Sequence, residues 1–63
     1  MIDREINANK IRIGQTILFV YKGVEMPAKV TGIGDGRVDI VLPAAPEPIP
    51  WSLRIRDISG IVT

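Results

Sequence analysis

The sequence contains no cysteine and no histidine. Without cysteine no disulfide can staple the fold, and without either residue the usual zinc ligand sets are missing. The same absences remove the commonest nucleophile and the commonest general base near neutral pH, and Ser52 and Ser59 have no evident activating partner. Aromatic side chains are scarce, with Phe19, Tyr21 and Trp51 making up 5% of the chain. Neither charge sign dominates. Eight basic and seven acidic residues leave a formal charge of +1, far below the excess of a strong nonspecific nucleic-acid binder. Long apolar runs are missing too, since the longest, Ile17–Tyr21, is well short of the ~20 residues that span a bilayer. The first ten residues mix Asp3, Arg4, Glu5 and Lys10 with Asn7 and Asn9, unlike a secretory leader. The expected location is the cytoplasm, away from any membrane.

What is present is aliphatic. Hydrophobic residues make up 46% of the 63 positions, too apolar a mixture for a disordered tail. One packed domain is expected. At this size folding buries only about 60% of the surface an unfolded chain exposes, so stability rests on hydrophobic burial alone or on a second copy of the chain.

The apolar pattern has a period of two, the signature of half-buried strands. Ile11 and Ile13 flank Arg12, and after Gly14 the dense segment Ile17–Tyr21 continues what reads as a first strand. Lys22-Gly23 punctuates the chain. In Val24–Thr31, Met26, Ala28 and Val30 share one face, while Pro27 places the start of this strand at a sheet edge or bulge. Asp35-Gly36 tolerates φ > 0 and predicts a tight hairpin. Val38, Ile40 and Leu42 then point inward, with Arg37, Asp39 and Val41 outward. Pro43, Pro46, Pro48 and Pro50 stiffen an expected surface loop. Trp51–Arg56 alternates again, with Trp51, Leu53 and Ile55 on one face and Arg54 and Arg56 on the other. Asp57–Gly60 reads as a short turn or one 3₁₀ turn before Ile61–Thr63 closes the chain. Residues 1–9 form an arm, either frayed or added as a strand, and residues 10–63 the body of the domain.

Short strands, tight turns and no segment long enough for a crossover helix predict an all-β fold: a small five-stranded antiparallel barrel with a short N-terminal arm. The sequence resembles SH3-like barrels, and among them Tudor and KOW modules. The resemblance runs from Ile13 to Ile58 on Gly14, Lys22-Gly23, Pro27-Ala28-Lys29-Val30, Asp35-Gly36 and Val38-Asp39-Ile40. It implies that the first and last parts of the chain lie side by side, and so that Lys10, Arg12, Arg54 and Arg56 form one patch with Arg4 within reach. A Tudor-like module would also capture a methylated side chain in an aromatic cage. The position before Pro27 is Met26 here, and three aromatics leave little to build a cage from.

Several other readings are weaker. Asp35 and Asp39 read as a turn aspartate and a solvated strand position rather than a catalytic pair. Gly32-x-Gly34-x-Gly36 is followed by strand periodicity, not by the helix a phosphate loop opens. The P-x-x-P spacing of Pro43 and Pro46 has no neighbouring arginine or lysine and reads as a rigid connection. No enzymatic activity, metal or cofactor is expected.

Binding is the expected function. The face of Lys10, Arg12, Arg54 and Arg56 suits an acidic protein surface or a nucleic-acid backbone, with Trp51 as either a core side chain or a contact anchor. Leu18, Val20 and Val41 fall opposite the core set. They predict an apolar patch covered by the arm, by a second copy of the chain or by a larger assembly.

Overall fold

The computed structural model describes residues 1–42 and 49–63. The expected proline loop therefore falls outside the described residues except at its end. There Ile49 and Pro50 belong to a strand instead.

The chain is all-β, with antiparallel strands β1 (Ile2–Asp3), β2 (Thr16–Tyr21), β3 (Val24–Gly34), β4 (Arg37–Leu42), β5 (Ile49–Arg54) and β6 (Ile58–Val62). They form one six-stranded sheet in the order β1-β6-β2-β3-β4-β5. Among the described residues no helix is long and apolar enough to cross a membrane.

The strand count exceeds the expected five because the arm adds one. Ile2 pairs with Val62 and Asp3 with Ile61, and the Thr63 N–H donates to the Met1 carbonyl at 2.9 Å. A side-chain clasp holds this short strand down. Arg4 forks onto the Glu25 carboxylate, with Nη2 to Oε1 at 3.1 Å, and also donates to the Ser59 carbonyl at 3.1 Å.

Turn chemistry explains the meander. Lys22 (φ 52°) and Gly23 (φ 79°) both occupy the left-handed region between the paired residues Tyr21 and Val24, the backbone of a type I′ hairpin. At the next hairpin Gly36 alone is left-handed (φ 68°). β3 serves two neighbours in turn. Val24–Lys29 pair with β2, Lys29–Gly34 pair with β4, and the register shifts at Thr31. Such a bulge bends a strand and increases its twist. Pro27 lies in the part of β3 that has β2 as its one neighbour, a local edge that tolerates a missing N–H.

The core collects the inward positions: Ile17 and Phe19, Ala28 and Val30, Val38 and Ile40, Leu53, Ile58 and Ile61, joined by Ile11 from the connecting segment. Each fully buried aliphatic side chain contributes about 1.5–3 kcal/mol relative to exposure. The sheet curls around this core. Tyr21 on β2 meets Trp51 on β5 edge to face, centroids 5.7 Å apart, although β3 and β4 lie between those strands in the sheet.

Two expected strand boundaries are corrected. The first strand begins at Thr16, not near Ile11, because Ala8–Lys10 form a 3₁₀ turn capped by the Asn7 side chain. Gly14 (φ 89°) then turns the chain so that its N–H reaches the Val30 carbonyl at 2.8 Å. Ile11 is buried and Ile13 is 67% exposed. At the other end, β5 stops at Arg54, and Ile55–Asp57 form the 3₁₀ turn that was expected nearer Gly60.

Candidate functional site

The four cations expected to share a face are divided by the fold. Lys10 lies in the first 3₁₀ turn and not on a strand. Its ammonium reaches Asp3 at 3.2 Å and Glu5 at 3.6 Å. Asp3 keeps the Lys10 ammonium charged to higher pH than an ordinary lysine, and Glu5 adds to the effect. Arg12 turns its guanidinium onto the Asn9 carbonyl at 3.0 Å. Arg4 is taken up by Glu25, whose carboxyl is held below the usual carboxylate range, first by Arg4 and then by the Ser59 hydroxyl at 2.7 Å. The N-terminal cations thus fasten the arm and its turn.

The C-terminal pair keeps different company. Arg54 stands directly opposite Arg37 across the β4–β5 ladder, and the pairs Asp39↔Ser52 and Val41↔Pro50 continue the same outer face. Arg56 lies in the second 3₁₀ turn. That turn is tied to the β3–β4 hairpin by the Ile55 N–H, which donates to the Gly36 carbonyl at 3.2 Å. Arg37, Arg54 and Arg56 are all exposed, and none forms an ion pair among the described residues. Like charges directly opposite on a sheet destabilise it, and among the described residues no carboxylate pairs with them to offset that cost.

Beside the arginines lies an open depression of about 410 Å³ lined by Thr31, Asp39, Ile40, Pro50, Trp51 and Ser52. Gly32 sits opposite Asp39. A Cβ on Gly32 would come within 2.9 Å of Asp39 Oδ2, so the glycine leaves the space in which that carboxylate lies. Trp51 keeps the inward phase of Leu53 but is 40% exposed, and Tyr21 is 39% exposed. The core placement of Trp51 is corrected to a half-exposed one. β5 is an edge strand, and its indole caps one end of the curled sheet against Tyr21. Lys22 stands over the outer part of that pair, its ammonium 5.4 Å from the Tyr21 ring centre.

The expected apolar patch largely dissolves. Leu18 is only 9% exposed, because it faces Gly60, over which Ile2 and Arg4 of the arm lie. Val41 is half-buried, and Val20 alone of the three stays open, at 58%.

No family model, curated protein or solved structure matches this chain.

Arg37 is the site residue that sequence reading missed. Sequence reading placed Arg37 on the outward face of its strand, but its meeting with Arg54 depends on the β4–β5 register.

Proposed function

We propose that the protein is a non-catalytic binding module, built as a small SH3-like barrel, that docks an acidic protein surface on Arg37, Arg54 and Arg56 with Trp51 at the margin. The barrel reading is supported by the return of β6 to β2 and by the contact of Tyr21 with Trp51 across the sheet. The observation that carries the binding reading is the Arg37↔Arg54 opposition without an acidic partner among the described residues. Two adjacent guanidiniums form a ready receptor for carboxylates, and Trp, Tyr and Arg are the residues enriched at the energetic centres of protein interfaces.

A protein partner is favoured over a phosphate backbone by the interleaving of charge. Asp39 follows Arg37 on the outer face and Asp57 follows Arg56, a pattern that would repel a uniformly anionic polymer at alternate positions.

Fluorescence anisotropy with labelled polyglutamate and with labelled single-stranded DNA tests this. Wild type should bind polyglutamate, more weakly as salt rises. Arg37→Glu/Arg54→Glu should reduce that affinity about tenfold or more, and Lys10→Glu/Arg12→Glu should leave it within about twofold. DNA binding stronger than polyglutamate binding would overturn the choice of partner.

A further inference from the structure

We infer that the free edge of β5 is a strand-addition site for an extended acidic segment of a partner protein, an inference that rests on the binding role of the arginines proposed above. Among the described residues β5 has β4 as its one hydrogen-bonded neighbour and closes one side of the sheet. Along an antiparallel ladder, hydrogen-bonded and non-hydrogen-bonded pairs alternate. The Ile55 N–H bonds the Gly36 carbonyl, so the register Arg37↔Arg54, Val38↔Leu53, Ile40↔Trp51 fixes the rest. The backbone groups of Leu53, Trp51 and Ile49 face β4, and those of Arg54, Ser52 and Pro50 face away from the sheet. Pro50 fits that phase, since the N–H it lacks would have been on the free side.

The free edge therefore offers the N–H groups of Ser52 and Arg54 and the carbonyls of Pro50 and Ser52, while the Arg54 carbonyl opens the second 3₁₀ turn. Pro50, Trp51, Ser52 and Arg54 are all exposed, and the depression at Pro50, Trp51 and Ser52 adjoins this edge. An incoming antiparallel strand would exchange bonds with Ser52, accept one from Arg54 and donate one to Pro50. Its outward side chains would lie beside Arg54, with Arg37 one strand further in. Carboxylates are favoured there, and uncharged hydroxyl side chains beside Ser52, across from Asp39. Its inward side chains would lie beside Trp51 and Leu53 and should be apolar. The same features disfavour a second copy of β5. Self-pairing about Ser52 would set Arg54 opposite Pro50, which has no N–H to return, and any antiparallel self-pairing would bring two sets of arginines onto one surface.

The test uses the acetylated, fluorescein-labelled heptapeptide Glu-Val-Glu-Val-Thr-Val-Thr and two backbone-methylated forms of it. One is N-methylated at the two threonines, whose N–H groups would bond the carbonyls of Ser52 and Pro50. The other is N-methylated at the valine on either side of the second glutamate, whose N–H groups would point away. The first form should bind about tenfold or more weakly than the parent and the second about equally. Ser52→Pro, which removes a donor from the free side only, should weaken the parent peptide similarly while keeping the wild-type circular dichroism spectrum and polyglutamate affinity. Equal binding of the two methylated forms would overturn strand addition while leaving the arginine reading intact. If neither the peptides nor polyglutamate bind, both readings fall. A dimer by light scattering that Ser52→Pro dissociates would assign the edge to a second copy and overturn the proposal.

Discussion

Lys22 is the one non-glycine residue among those described whose φ is positive, and it sits where the β2–β3 hairpin needs a left-handed residue. A left-handed backbone costs an ordinary L-residue about 1–2 kcal/mol, and asparagine less. The cation–π contact of Lys22 with Tyr21 offsets part of that cost, by about 0.5–1 kcal/mol at an exposed position. Lys22→Asn should therefore stabilise the protein by about 0.5 kcal/mol. Gly36 tests the same physics in reverse. A Cβ there meets nothing within 4 Å, so Gly36→Ala carries the conformational cost alone and should destabilise by about 1 kcal/mol. Urea denaturation reads both changes, and a neutral Gly36→Ala would mean that the turn relaxes to another geometry. Gly60 differs in kind. Its backbone is ordinary, but a Cβ would lie 2.8 Å from Ile2 Cγ2 and 3.2 Å from the Arg4 guanidinium, so its smallness is what lets the arm lie flat over Leu18.

Among the elements, β1 is only two residues long, and ion pairs from Arg4 and Lys10 reinforce its short pairing with β6. Glu25 is held below the usual carboxylate range by Arg4 and then by Ser59. Asp3 is likewise lowered, first by the Glu5 N–H and then by Lys10. A depressed carboxyl contributes stability that is full above its unfolded value and is lost as pH falls through its folded value. Both groups therefore act in the same direction, and acid should release the arm. The raised Lys10 ammonium would loosen it only as pH climbs through the raised lysine value. Hydrogen exchange of the Thr63 and Ile61 amides, corrected for intrinsic rate, should lose protection between neutral pH and pH about 3. Glu25→Gln should show part of that loss already at neutral pH. Unchanged protection across this range would mean that apolar contact of Ile2, not the clasp, holds the strand. The effect should be modest, because these side chains are solvated and salt screens them.

For the molecule as a whole, the question is what keeps a curled sheet of this size from opening. Among the described residues ten buried side chains form its core, and the Tyr21–Trp51 contact bridges strands that the sheet order keeps apart. An edge-to-face pair of this kind is worth about 0.5–1.5 kcal/mol beyond its area. A double-mutant cycle on Tyr21→Leu and Trp51→Leu should return a coupling in that range by thermal or urea unfolding. Additive effects would show that the rings merely touch and that the bend of β3 alone sets the curl. Because both rings are half-exposed, Trp51 fluorescence should also report partner binding at the neighbouring β5 edge.

Much of the fold was legible in the chain order of its residues. Period-two alternation identified the inward residues of β2, β3 and β4, since side-chain direction along a strand is a local property. Asp35-Gly36 located a hairpin because its backbone freedom is local too. Pro27 anticipated a local edge for the same reason. What the sequence could not decide depends on which distant segments meet. Asp3 and Glu5 neutralise Lys10, and Glu25 neutralises Arg4, because the arm folds onto β6. That moved the candidate surface away from the N-terminus, and the register across β4 and β5 brought Arg37 to Arg54. Trp51 obeyed its phase, yet its place on an edge strand left it half outside. Sequence alone determined an all-β chain without histidine or cysteine chemistry, because composition and alternation are fixed residue by residue. Tertiary structure decided which charges pair among the described residues and which strand lies at the sheet's end, because both depend on neighbours that the chain reaches only by folding.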